Sequence, residues 1–131
     1  MEELYNLEIS ENTIKSMLEI NPEIKELTNN EIIEKKQLLK SIGCSNIQIT
    51  DIISSNPNYL TKINEEVIKL INYLKELKFT TLNILFDSNP YILNLEPFEI
   101  ERYIENRKNN GEKLEDIVDD LDSNPYLFSD I

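Results

Sequence analysis

Five lysines in the middle of the chain, Lys35, Lys36, Lys40, Lys62 and Lys69, are the side chains best suited to accept phosphate groups. The bland alternative is a solvated face on which long side chains snorkel. Glu31 to Lys35 and Glu65 to Lys69 stand at helical pairing distance, which favours that alternative. A second cluster, Asp116, Asp119, Asp120 and Asp122, has the charge to attract a divalent cation. Its spacing is not that of a calcium loop, and no glycine turn lies within it. A solvated acidic face, able to meet a basic protein patch or imitate a nucleic-acid backbone, is the expectation, with no metal. Cys44 lies in SIGCSN near an expected helix start, where a thiolate is favoured. The chain has no histidine to act as its base, so Cys44 is read as a turn residue. Without a phosphate-cradling glycine loop either, no catalytic site and no cofactor are expected.

A chain of 131 residues, 40% hydrophobic and 29% charged, is long enough for one globular domain with a sizeable core. No apolar run approaches the ~20 residues of a membrane span. The opening MEELYNLEIS is acidic and lacks a basic-then-apolar leader pattern, which suggests a cytoplasmic protein. The net charge of −12 is uneven: residues 1–27 and 96–131 are strongly acidic, whereas 28–95 balance acids and bases. Long-range repulsion of phosphate follows, although a local basic face in the middle remains compatible with it. Alanine is absent, so helices pack through Ile and Leu at wider separations.

The elements that would position these side chains are legible from a repeat. Asn-Pro recurs with Pro22, Pro57, Pro90 and Pro125, at spacings of 35, 33 and 35 residues, a period typical of stacked helical units. Eight before each proline stand Ile14, Ile49, Leu82 and Ile117, and four before it Leu18, Ile53, Phe86 and Leu121, one face of a helix. Ten after the first three prolines stand Ile32, Val67 and Ile100. They mark a second amphipathic helix over roughly 30–42, 64–77 and 97–109. Gly43 and Gly111 suit left-handed C-caps between the two helices. Lys78-Phe79 holds that junction in the 33-residue unit and predicts a tighter or different turn. Ser10, Ser45 and Thr80 are the expected N-caps. Proline disfavours helix in the residue before it, and Asn is a good cap. Each Ser-Asn-Pro or Ile-Asn-Pro is therefore read as a corner that stops one helix and starts a short new one.

The segment LLKSIGCSNIQITDIISSNPNYL, with further copies in LKFTTLNILFDSNPYIL and NNGEKLEDIVDDLDSNPYLF and a leading partial copy in LEISENTIKSMLEINPEI, resembles the repeat of the mitochondrial transcription termination factor (mTERF) family. The resemblance implies an all-α fold: a short solenoid of units with two longer helices and a short helical turn. It also implies nucleic-acid binding through a basic concave face, from which the acidic composition departs.

The reading is one helical-repeat domain over 1–131, with a partial repeat over 1–27 and repeats over about 28–60, 61–93 and 94–128. Arg107, Asn110 and Asp120 replace Leu74, Leu77 and Leu85 of the preceding unit, as a terminal unit with no outer neighbour requires, and predict a monomer. The expected function is non-catalytic binding of a protein with a basic patch. Nucleic-acid binding through the five lysines is the alternative.

Overall fold

The computed structural model describes residues 2–131. Among the described residues four pairs of α-helices are each followed by a short 3-10 helix, here called a corner, and no strand occurs. In order they are α1 (Glu2–Tyr5), α2 (Glu11–Ile20), corner 1 (Pro22–Glu26), α3 (Asn29–Ser41), α4 (Asn46–Ser55), corner 2 (Pro57–Thr61), α5 (Asn64–Glu76), α6 (Leu82–Ser88), corner 3 (Pro90–Asn94), α7 (Pro97–Asn109), α8 (Leu114–Ser123) and corner 4 (Pro125–Asp130). The all-α solenoid expected from the repeat is the fold observed.

Local chemistry explains the boundaries. Thr28 with Glu31 and Ser45 with Gln48 form capping boxes at the starts of α3 and α4, each satisfying two orphan N–H groups. Ser10 caps α2 through the Thr13 N–H. Every corner has proline at its first position, where the missing N–H is not needed. The asparagine before each proline keeps one backbone conformation, with φ between −132 and −143 and ψ between 76 and 86.

Units stack in three rows: the long helices α3, α5 and α7 preceded by the four-residue α1, the helices α2, α4 and α6, and the four corners. One continuous core runs along the stack, from Leu4 to Phe128, and includes the fully buried Ile32, Ile53, Tyr59, Phe86 and Ile100.

The corner asparagines do not cap their own 3-10 helices, contrary to the sequence expectation. Their side chains cross to the next unit. Asn21 Nδ2 donates to the Pro57 carbonyl at 3.3 Å and to Thr61 Oγ1 at 2.9 Å. Asn56 Nδ2 donates to the Pro90 carbonyl and to Asn94 Oδ1, both at 3.0 Å, and Asn94 Nδ2 returns a bond to Asn56 Oδ1 at 3.2 Å. Asn89 Nδ2 donates to the Pro125 carbonyl at 3.0 Å and to Ser129 Oγ at 3.1 Å. Asn21, Asn56 and Asn89 are all buried, whereas Asn124, at the end of the row, is exposed. The backbone of each asparagine already closes the helix before it and opens the corner after it, so the amide is free for this lateral ladder.

The turns that end α3, α5 and α7 share one geometry. Cys44, Phe79 and Glu112 N–H groups bond the Leu39, Leu74 and Arg107 carbonyls, while Gly43, Lys78 and Gly111 bond the Lys40, Lys75 and Lys108 carbonyls. This is the double bond of a Schellman motif. Lys78 therefore occupies a glycine's place at φ 76, and the expected different turn is not found. The 33-residue unit loses its residues from the following helix instead: α6 has seven residues where α4 has ten. Its N-cap position is Thr81 rather than the expected Thr80, without a side-chain cap. The short helix starts later, and the packing of Leu82, Leu85 and Phe86 holds it in place.

Two outcomes test these assignments. Asn56→Ala strips a reciprocal amide pair whose Asn56 member is buried and should cost about 2 kcal/mol in urea denaturation, whereas Asn124→Ala should change stability by less than about 0.5 kcal/mol. Lys78→Gly removes a left-handed side-chain clash and should add about 1 kcal/mol, read as a rise of a few degrees in Tm.

Candidate binding surface

The five lysines of the middle units do not share one face. Lys35 is buried on α3, and its ammonium is bonded by Asn64 Oδ1 of α5. Asn64 in turn donates to Glu34 Oε2 at 2.8 Å, and the Tyr59 hydroxyl donates to the Lys35 carbonyl at 2.6 Å. Burial lowers the Lys35 pKa, and the neighbouring Glu34 and Glu31 oppose the shift. This lysine ties α3, corner 2 and α5 together and is not presented to a partner. Lys36 takes the place of Ile71 and Ile104 in later units and pairs with Glu3 Oε2 of α1 at 3.1 Å.

Lys40 is exposed and lines an open hollow of about 500 Å3 together with Lys36, Asn6, Thr50, Glu8 and Asp51. Lys62 and Lys69 line a different hollow of about 180 Å3 with Glu66, Glu96 and Phe98. The Lys62 ammonium also donates to the Asn94 carbonyl at 3.3 Å. Each of these hollows holds two carboxylates against two lysines. The arrangement is a mixed-charge surface divided between the α1–α4 end and the α5–α7 flank, without a run of unpaired cations.

Asp116, Asp119, Asp120 and Asp122 are all exposed on α8. Asp120 is drawn out of the cluster by an ion pair to Arg107 Nη1 at 2.9 Å. Arg107 is a hub: Nε and Nη2 donate to the two Glu112 oxygens at 2.8 and 2.5 Å, Nη1 donates to the Tyr103 hydroxyl at 3.1 Å, and the guanidinium lies 5.6 Å from the Tyr103 ring centre. The turns after α3 and α5 fill the corresponding pair of positions with buried apolar residues, Leu39 with Cys44 and Leu74 with Phe79; the turn after α7 uses a bidentate ion pair. The Glu112 hydrogen bonds hold the Arg107 guanidinium firmly charged, with smaller help from Tyr103 and Asp120. The same bonds hold the Glu112 carboxyl below the usual carboxylate range. Among the described residues no group of three or more His, Cys, Asp or Glu side chains is arranged to hold a metal.

Cys44 is buried, and burial followed by the nearby Asp87 charge pushes its thiol up to about 11. Burial therefore favours the thiol over the thiolate weighed from its place near a helix start.

Sequence reasoning missed a set of exposed apolar side chains. Ile20 is 61% exposed where the other units place Ser55, Ser88 and Ser123. Ile63, also 61% exposed, is the N-cap of α5, where α3 and α7 use Thr28 and Glu96 in capping boxes. An uncapped start of this kind costs about 1 kcal/mol. Phe98 is half-exposed beneath Arg102, 6.0 Å from the ring centre. Comparing each position with its equivalents in the other repeats is the signal that finds the two isoleucines.

A solenoid of helix, corner and long helix, stitched unit to unit along its corners, is a helical-repeat protein. A family model described as mTERF matches residues 1–119, and the chain belongs to the mTERF family. No curated protein and no solved structure matches it. Among the described residues no helix is long and apolar enough to cross a membrane.

The lowered Glu112 pKa carries a pH dependence. Its stabilisation is fully present above the unfolded carboxyl value of 4.5 and is lost as pH falls through the lower folded value. In an acid titration followed by NMR, the Gly111 and Glu112 amides should keep their native shifts through mild acid and change only below that value. Glu112→Gln should abolish this step.

Proposed function

We propose that the chain is a non-catalytic binding module that acts as a cytoplasmic monomer and engages a protein with a basic surface. The observation that carries this reading is the mixing of charges around the hollows. Lys35 is buried, Lys36 is paired with Glu3, and Lys62, which donates to the Asn94 carbonyl, stands beside Glu66. Phosphate backbones need several unpaired cations along one track. Acidic residues are in excess by 25 to 13, and Asp116, Asp119 and Asp122 of α8 face solvent without an ion pair among the described residues. A basic partner meets a complementary field, which speeds encounter. The ion pairs of Arg107 with Glu112 and Asp120 support a monomer, because they put charge at positions where the preceding unit has leucine.

Family membership supports a second reading, nucleic-acid binding, with exposed Lys40 and Lys69 as its remaining contacts.

Titration of the isotope-labelled chain at low ionic strength separates the two. With a peptide rich in lysine and arginine, amide shifts should appear and the association rate should fall steeply as salt rises. Duplex and single-stranded oligonucleotides should produce none at micromolar protein. Shifts caused by the oligonucleotides and not by the peptide, or a salt-insensitive association rate, would reverse the assignment.

A further inference from the structure

The repeats provide an internal standard, because equivalent positions face the same local demands. Three departures from that standard gather around one open hollow of about 580 Å3 between corners 1 and 2. Ile20 replaces the serine of the other three units, Ile63 replaces the capping residues Thr28 and Glu96, and Lys62 replaces Leu27 and Leu95. Two of the changes place aliphatic side chains in water, and Ile63 also gives up a helix cap. Folding gains nothing from either. The third turns a packing leucine into a cation that lines this hollow and the two adjoining ones.

The charge around the hollow selects what covers it. Glu23 and Glu66 stand at its edge, and Glu26 and Glu31 line the adjoining hollow. The two cations among them are Lys35, which is buried and bonded to Asn64, and Lys62, which is bonded to Asn94. The outer rim is therefore acidic around an aliphatic pair. Such a surface fits an apolar anchor flanked by cations, with the rim contacts excluding water from the anchor.

We infer that this hollow is the docking site for a basic peptide segment of the partner, with an aliphatic or aromatic side chain seated between Ile20 and Ile63 and flanking lysines or arginines on Glu23 and Glu66. This deepens the protein-partner reading and rests on it. A second copy of this chain is a poor occupant, since its net charge of −12 would meet the same acidic rim.

The test is selection of random phage-displayed peptides on the whole chain, followed by affinity measurement with synthetic copies. Selected peptides should carry an apolar residue beside Lys or Arg. The Ile20→Ser/Ile63→Thr double variant should weaken them at least about tenfold, as loss of a buried anchor does. Glu23→Gln/Glu66→Gln should weaken them similarly, while Glu101→Gln, an exposed carboxylate of α7 that does not line the hollow, leaves them unchanged. Ile63→Thr places a threonine three residues before Glu66, completing a capping box, and should raise Tm while binding falls. Basic peptides that bind the double variant with full affinity would overturn this site and leave the protein-partner reading intact. Enrichment of acidic peptides, or displacement of the selected peptides by an oligonucleotide, would overturn both. A dimer of the wild-type chain abolished by the double variant would assign the hollow to a second copy and overturn the proposal.

Discussion

The stack depends on what a buried asparagine amide must do. Asn21, Asn56 and Asn89 are removed from water, and an amide left there without partners costs ~1–3 kcal/mol. Each finds its partners only when the next corner lies alongside, offering a proline carbonyl and a polar side chain four residues further on. Apolar burial is nondirectional and would tolerate some sliding of one unit on the next. The amide bonds would not, because they need oriented donors and acceptors near 3 Å. The ladder therefore fixes the relative placement of units whose aliphatic surfaces only require contact. The variation of Thr61, Asn94 and Ser129 at the receiving position follows from the same physics: any side-chain oxygen at that place accepts the bond.

The ends of the stack change chemistry while keeping the backbone. The turn after α7 repeats the hydrogen bonds of the turns after α3 and α5, yet its side-chain contact is an ion pair in place of a buried apolar pair. The Arg107 guanidinium reaches Glu112, Asp120 and Tyr103 together. Between α1 and α3, Lys36, in the place of an isoleucine, meets Glu3 of α1. Solvent-facing ion pairs of this kind add little to stability.

The middle of the chain carries its lysines for different purposes. Lys35 stitches two long helices through Asn64, Lys36 closes an end, Lys62 interrupts an aliphatic position, and Lys40 and Lys69 stay in solvent. Sequence spacing alone grouped them, since a run of lysines on neighbouring helices looks like a basic stripe. The difference between a buried tie and a solvated charge is set by which helix packs over each ammonium. Ile20 and Ile63 went unnoticed for the converse reason: isoleucine at helical spacing reads as core, and only the fold shows which isoleucines lack a neighbour.

What the sequence by itself determined is local and periodic. The repeat of Asn-Pro, the spacing of Ile and Leu, and the serine, threonine and glycine signals specify helices, corners and their order, because capping, proline geometry and amphipathic burial act within a few residues. Even there Lys78 adopted a glycine's conformation, since the Leu74 to Phe79 turn outweighed the strain at one residue. Only the tertiary structure decided that the corner amides serve the next unit, that Lys35 is sequestered and that Ile20 and Ile63 border one hollow. Those outcomes join residues some thirty to forty positions apart, and their partners exist only once the stack has brought successive units side by side.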